Sequence, residues 1–118
     1  MKKKSPPSNV KVVASEQEAR DIMANAAGPV VLQFTAEWCG QCPAEKKRAD
    51  KIAASCDTLT VIRVDEAVAG KLREDYRVDE LGGFPTSFYA EKGSELKPGM
   101  DELSDLSDVK DALKCKKK

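Results

Sequence analysis

Hydrophobic runs alternate with amphipathic stretches along most of the chain, and this pattern predicts strands separated by helices. Two nearly continuous apolar runs, PVVLQFT at 29–35 and LTVIRVD at 59–65, are typical of inner strands covered on both faces. A β-prone run at 10–13 precedes them and the strand TSFYA at 86–90 follows. Lys92-Gly93 indicates a turn, after which we expect a short edge strand near Glu95–Lys97.

Between these runs, apolar residues recur at helical spacing, so one side of each predicted helix is buried. Ser15, with Glu18 three residues later, forms a capping box that begins a helix expected to run through Ala26. Ser104 can cap the last helix. The order β-α-β-α-β-α-β-β-α implies parallel strands at first and an antiparallel hairpin at the end. We therefore predict an α/β fold, a mixed five-stranded sheet flanked by four helices.

The charges balance, with 20 basic and 20 acidic side chains in 118 residues. This argues against nucleic-acid or membrane-surface binding, which needs a basic excess on one face. Lysines concentrate at the two ends, where we expect a flexible basic tail at 1–9 and a basic tail at 115–118 around one domain at 10–114. We find neither a secretory signal nor an apolar run of membrane-spanning length, and expect a cytoplasmic location without excluding an organelle.

Two cysteines, Cys39 and Cys42, stand where a predicted inner strand ends and a long helix begins. In a reducing compartment such a pair is more typical of catalysis or metal binding than of a structural disulfide. A structural zinc site needs four ligands, but Cys56 and Cys115 are not a second pair and the chain has no histidine. A redox pair without a metal is favoured; zinc and a static disulfide are the weaker alternatives.

The predicted helix start explains how the pair could react. The thiolate is the nucleophile in disulfide exchange, and free N–H groups and the helix dipole at the start of a helix would stabilise it on Cys39. Cys42, one turn later, could then attack a mixed disulfide formed by Cys39. Gly40 leaves the approach open, and Trp38 offers a flat contact surface. No metal or organic cofactor is needed for this chemistry.

The other two cysteines lie away from this pair. Cys56 falls on the apolar side of the helix, about 21 Å from Cys42 along its axis, which is too far for a bond. We expect it to be a buried thiol. Cys115 is expected to be exposed near the end of the chain, where intermolecular disulfides or glutathionylation are alternatives to a free thiol.

The stretches FTAEWCGQC and GGFPTSFY, with the order of elements, resemble the thioredoxin family over roughly Val10–Leu113. The resemblance implies a thioredoxin-like fold and a thiol–disulfide oxidoreductase that reduces protein disulfides. It also implies a cis Pro85 against the cysteine pair and a Phe84 backbone that pairs with an extended substrate segment. The expected partners are disulfide-bearing proteins and a recycling reductase or low-molecular-weight thiol, and we expect a monomer.

Departures from the family pattern begin inside the motif. Gln41 stands where a proline is usual, and Pro43 follows the pair instead, so the reduction potential is open. The segment VDELGG at 78–83 is longer than usual and would lie beside the substrate groove. Asp79 and Glu80 make it acidic, so the choice of partner can differ.

A second departure concerns a buried charged pair. Gln33 replaces the usual aspartate and Val61 replaces its usual lysine partner, so both members of that pair are gone together, which is consistent because one buried charge without its partner would be costly. An amide cannot accept a proton. We therefore hypothesise that Cys42 loses its proton to water or to Glu37, which would slow the second exchange step or shift its pH dependence.

Two other functions remain open on the sequence alone. One is a docking module that uses Trp38, Phe84 and Pro85 to bind a partner, with redox chemistry secondary. The other is a disulfide oxidase or isomerase, which would need a less reducing potential.

Overall fold

The computed structural model describes residues 8–113, so the predicted tails and Cys115 lie wholly or mostly outside the described residues. Within this range the structure has four β-strands and four α-helices. The strands are β1 (Val10–Val12), β2 (Val30–Thr35), β3 (Thr60–Asp65) and β4 (Thr86–Ala90). The helices are α1 (Glu16–Asn25), α2 (Cys42–Ala54), α3 (Lys71–Asp75) and α4 (Leu106–Ala112). One-turn 3-10 helices occur at Glu66–Val68 and Gly93–Glu95.

The strands form one mixed sheet in the order β1-β3-β2-β4. β3 pairs in parallel with both β1 and β2, whereas β4 pairs antiparallel with β2. This confirms the predicted mixed sheet and the thioredoxin-like arrangement. The register places Gln33 of β2 beside Arg63 of β3 and opposite Ser87 of β4.

The prediction of a fifth strand near Glu95–Lys97 is wrong for the described chain. The segment forms the 3-10 helix Gly93–Glu95, and its Gly93 N–H donates to the carbonyl oxygen of Ala26 at the end of α1. A Cβ atom at Gly93 would meet the Met23 carbonyl oxygen, so a glycine allows this close packing on α1. Leu96 is buried in the core just beyond. Packing against α1 therefore replaces pairing with β4.

The alternating side chains of the inner strands fill a separate apolar cluster on each face of the sheet. One face packs against α1 and α3; its strand residues are Val30, Leu32, Phe34, Ile62, Val64, Phe88 and Ala90. The other packs against α2 and α4; its members include Val10, Val31, Val61, Ala49, Ile52, Ala53, Cys56, Leu106 and Val109. Cys56 is buried there, as predicted, but it is disulfide-bonded, so the prediction of a buried thiol is wrong. Gln33 has the same parity as Val31 and so faces α2.

Side chains from several elements fix the ends of the helices. The Ser15 hydroxyl accepts from the Glu18 N–H at 3.1 Å, which confirms the predicted cap of α1. The cap of α4 is Asp105, not Ser104 as predicted, and Asp105 also pairs with Arg48 of α2. The amide of Asn9, just before β1, donates to three carbonyl oxygens in and just after the end of α2, those of Ala53, Cys56 and Leu59.

Candidate active site

A disulfide joins Cys39 and Cys42 at the start of α2, with their Cα atoms 5.4 Å apart. Cys42 is the first residue of the helix, and Cys39 lies in the turn just before it. The prediction placed Cys39 itself at the helix start. α2 begins three residues later because Gln41 takes the N-cap position and Pro43 fits the first helical turn, where a missing N–H costs little.

The two sulfur-bearing residues differ in exposure. Cys39 keeps 7% of its surface accessible, whereas Cys42 is fully buried. A Cβ atom built at Gly40, the residue after Cys39, meets no atom within 4 Å, so the space beside Gly40 is open. An incoming group can therefore reach Cys39 before it can reach Cys42.

An aromatic surface borders the disulfide. Trp38 is 66% exposed, and its ring meets Phe84 edge-to-face at 5.6 Å between centroids. Phe84 also packs against the cluster of Ala36, Cys39 and Cys42, and the bond from Phe84 to Pro85 is cis, as the resemblance implied. We call Trp38, Phe84 and Pro85 the docking surface.

Charged residues that the sequence analysis did not single out surround this docking surface. The Trp38 indole N–H donates to Glu66 Oε1 at 3.2 Å. Arg73 of α3 lies with its guanidinium 5.1 Å from the centre of the Phe84 ring. Arg73 also pairs with Glu66 and with Asp79 of the long loop. That loop is therefore tied to the docking surface, and the negative charge of Asp79 is paired.

Beneath α2, Gln33 joins a polar network that contains a buried cation. Its Oε1 accepts from Arg63 Nε at 2.7 Å, and its amide nitrogen donates to the carbonyl oxygen of Glu45 at 3.3 Å. Arg63 Nη2 pairs with Asp50 Oδ1 at 2.9 Å and donates to the Lys46 carbonyl oxygen. Gln33 and Val61 are both buried and uncharged, but a different charged pair, Arg63 with Asp50, lies here, which the sequence analysis did not anticipate. A single arginine within an apolar strand was the available signal.

The remaining predicted site residues lie around the start of α2. Gln41 and Pro43 are exposed on its first turn, and Glu37 is exposed beside Trp38. Cys42 is buried, so Glu37 and Cys42 differ in their access to water. Among the described residues, no group of three or more histidine, cysteine or acidic side chains is arranged to hold a metal ion.

Comparison with known proteins identifies the family to which this site belongs. The family model described as thioredoxin matches residues 10–114. The chain belongs to the thioredoxin family. It is 32% identical over 88 residues to a thioredoxin of Chlamydia trachomatis, which covers 75% of this chain and 80% of the relative. It is 35% identical over 106 residues to protein disulfide-isomerase A3 of Gallus gallus, but that match covers only 20% of the isomerase.

Solved thioredoxin structures share the fold. Trichomonas vaginalis thioredoxin superposes with a TM-score of 0.69 at 26% identity, covering 88% of this chain and 94% of that one. Trypanosoma brucei thioredoxin gives 0.68 at 26% identity, covering 94% and 92%. Membership of the thioredoxin family, together with the Cys39–Cys42 disulfide, makes this chain a thiol–disulfide oxidoreductase. Among the described helices, none is both long and apolar enough to cross a membrane.

Proposed function

We propose that the protein reduces disulfides of extended protein segments, with Cys39 as the attacking thiol and Cys42 as the resolving thiol. The observation that carries these roles is the difference in exposure within one bonded pair: Cys39 keeps 7% of its surface accessible beneath the docking surface, and Cys42 is fully buried. A buried sulfur cannot meet a large substrate, but it can reach its bonded neighbour.

The reaction transfers two electrons from the dithiol to the substrate. The Cys39 thiolate attacks one substrate sulfur, which breaks the substrate disulfide, forms a mixed disulfide and releases one substrate thiolate. Cys42, once deprotonated, attacks Cys39 Sγ and displaces the second substrate thiolate. The two substrate thiolates take up the protons that the dithiol has lost. The product is the Cys39–Cys42 disulfide, the state that the structure contains.

The docking surface supports a protein substrate. An extended segment can lie across Trp38 and pair with the backbone at Phe84, which is a form of strand addition. The open space at Gly40 admits that segment close to Cys39. A reductase or low-molecular-weight thiol would recycle the pair, and we place this cycle in a reducing compartment, the cytoplasm by default, with the protein acting as a monomer.

Reduction of insulin, with dithiothreitol as the electron donor, tests the activity. The wild type should accelerate it, and Cys39→Ser should abolish the acceleration. With pre-reduced protein and no dithiothreitol, Cys42→Ser should accumulate a mixed disulfide with the substrate, since no resolving thiol remains, whereas Cys39→Ser should not. If Cys39→Ser accumulates the adduct and Cys42→Ser does not, the assigned roles are reversed.

Two further measurements address the alternatives. Reference reduction potentials are about −270 mV for thioredoxin and about −180 mV for protein disulfide isomerase, and a reductant should lie nearer the former. A value near the latter would favour the oxidase or isomerase. A double Cys39→Ser, Cys42→Ser variant that keeps both its partner and its cellular phenotype would favour the docking module.

A further inference from the structure

Arg73 contacts the docking surface on the side of Phe84, while its charge is held by two carboxylates. Its guanidinium lies 5.1 Å from the centre of the Phe84 ring, a cation–π distance. Nε and Nη2 both approach Asp79 Oδ1 at 3.0 Å, and Nη1 lies 3.4 Å from Glu66 Oε2. Contacts with three side chains, Phe84, Asp79 and Glu66, therefore fix the guanidinium plane.

Glu66 links this guanidinium to the tryptophan. One of its carboxylate oxygens accepts from the Trp38 indole N–H at 3.2 Å, and the other faces Arg73. Trp38 in turn meets the Phe84 ring edge-to-face. A closed circuit of contacts thus joins Trp38, Glu66, Arg73 and Phe84. In it, each aromatic side chain touches the other aromatic side chain and one charged side chain.

This circuit of contacts matters for substrate binding because most of the Trp38 surface is exposed. An exposed aromatic side chain that is mobile before binding must lose rotamer freedom when a substrate docks, and this weakens binding. Contacts that already hold it remove part of that loss. A planar guanidinium with a fixed fork of donors can stack on a ring and bind two carboxylates at once, which a lysine ammonium cannot do.

We propose that Arg73 is a positioning residue that preorganises the docking surface and so determines how tightly protein substrates bind. The proposal rests on the proposed reduction of protein disulfides. Arg73 contacts Phe84, Glu66 and Asp79, and it meets the cysteine pair through the Phe84 ring, which packs against Cys39 and Cys42, so we expect its effect to fall on substrate binding and not on the sulfur chemistry.

The test compares Arg73→Ala with Arg48→Ala. Arg48 is a matched control because it also pairs with two carboxylates, Glu45 and Asp105, but it belongs to α2 and contacts no ring. For insulin reduction, Arg73→Ala should raise KM about fivefold, the equivalent of one exposed cation–π contact, with kcat unchanged. Arg48→Ala should leave KM unchanged. Reduction of hydroxyethyl disulfide, which is too small to cover the docking surface, should not change in either variant.

The chain contains a single tryptophan, so its fluorescence reports on the docking surface alone. Time-resolved anisotropy should show faster local motion of Trp38 in Arg73→Ala than in the wild type or Arg48→Ala. Arg73→Lys keeps a positive charge near Phe84 but loses the planar set of guanidinium donors. Its KM should therefore lie between that of the wild type and that of Arg73→Ala. If Arg73→Ala does not fold, Arg73→Lys carries the same comparison.

An unchanged KM in the Arg73 variants overturns the proposal, and so does an equal rise in Arg48→Ala. A fall in kcat with a shifted reduction potential and an unchanged KM would also overturn it, because Arg73 would then act on the cysteine pair. A wild type that reduces hydroxyethyl disulfide but not insulin would instead overturn the proposed function.

Discussion

Replacing Asp50 by asparagine should destabilise the protein by about 2 kcal/mol, because it removes the carboxylate that balances a buried cation. The Arg63 side chain is only 7% exposed, and its Nη2 lies 2.9 Å from Asp50 Oδ1. At about 4 Å between charge centres and an effective dielectric constant near 20, the Coulomb attraction is about 4 kcal/mol. Asparagine keeps an oxygen acceptor, and the Asp50 side chain is 31% exposed to screening water. About half of the Coulomb attraction, about 2 kcal/mol, should therefore be lost.

Thermal unfolding of the oxidised protein at pH 7 measures this loss. For 118 residues, 1 kcal/mol corresponds to about 4 °C, so Tm should fall by about 8 °C. Glu80→Gln is the control, since its 3.5 Å pair with Arg77 is largely exposed and should be worth at most about 0.5 kcal/mol. In an Arg63→Met background, Asp50→Asn should cost almost nothing. A loss no larger than in the control, or one that persists in that background, would refute the argument.

Three further predictions test other contacts. Asn9→Ala removes an amide with three carbonyl acceptors and should cost about 1–2 kcal/mol in urea unfolding; a loss below about 0.5 kcal/mol would contradict this. Hydrogen bonds from Arg20 and from a backbone N–H lower the pKa of Glu16 in the folded protein below its ordinary 4.5. The ionised Glu16 therefore contributes its full stabilisation above pH 4.5, and this stabilisation is lost as the pH falls through the lowered pKa. Glu16→Gln should therefore flatten the acid fall in Tm, and an unchanged slope would count against it. Gly70 has φ +54° and its Cβ would strike the Glu16 carboxylate, so Gly70→Ala should cost about 1 kcal/mol or more; unchanged urea unfolding would oppose it.

The inner strands and the long helix are predictable because their signals are local: apolar runs for β2 and β3, and an apolar stripe for α2. The edge strand is not, because the contact that displaces it joins Gly93 to the end of α1, far away in sequence. The cap of α4 shows the same limit on a smaller scale. Ser104 and Asp105 are both good capping residues, and what distinguishes Asp105 is its pair with Arg48 on another helix.

In the active site, too, some features follow from local sequence and others depend on contacts between distant residues. The spacing of Cys39 and Cys42 fixes their contact locally. The ion pair of Arg63 with Asp50 depends on how α2 lies over the sheet, and so the sequence indicated it only through one charged residue in an inner strand. Arg73 gave no signal, because a polar residue on a short exposed helix is ordinary; only the fold brings it to the Phe84 ring.

The Leu103 N–H donates a hydrogen bond to the Ser87 carbonyl oxygen at the outer edge of β4, so this carbonyl points away from β2. In an antiparallel strand, alternate residues direct both backbone groups to the same side, so Ser87 and Tyr89 point away from β2. Their amide protons should exchange with deuterium sooner than those of Thr86, Phe88 and Ala90, which point to β2. Deuterium uptake that alternates between fast and slow from one residue of β4 to the next would then show where water reaches the sheet.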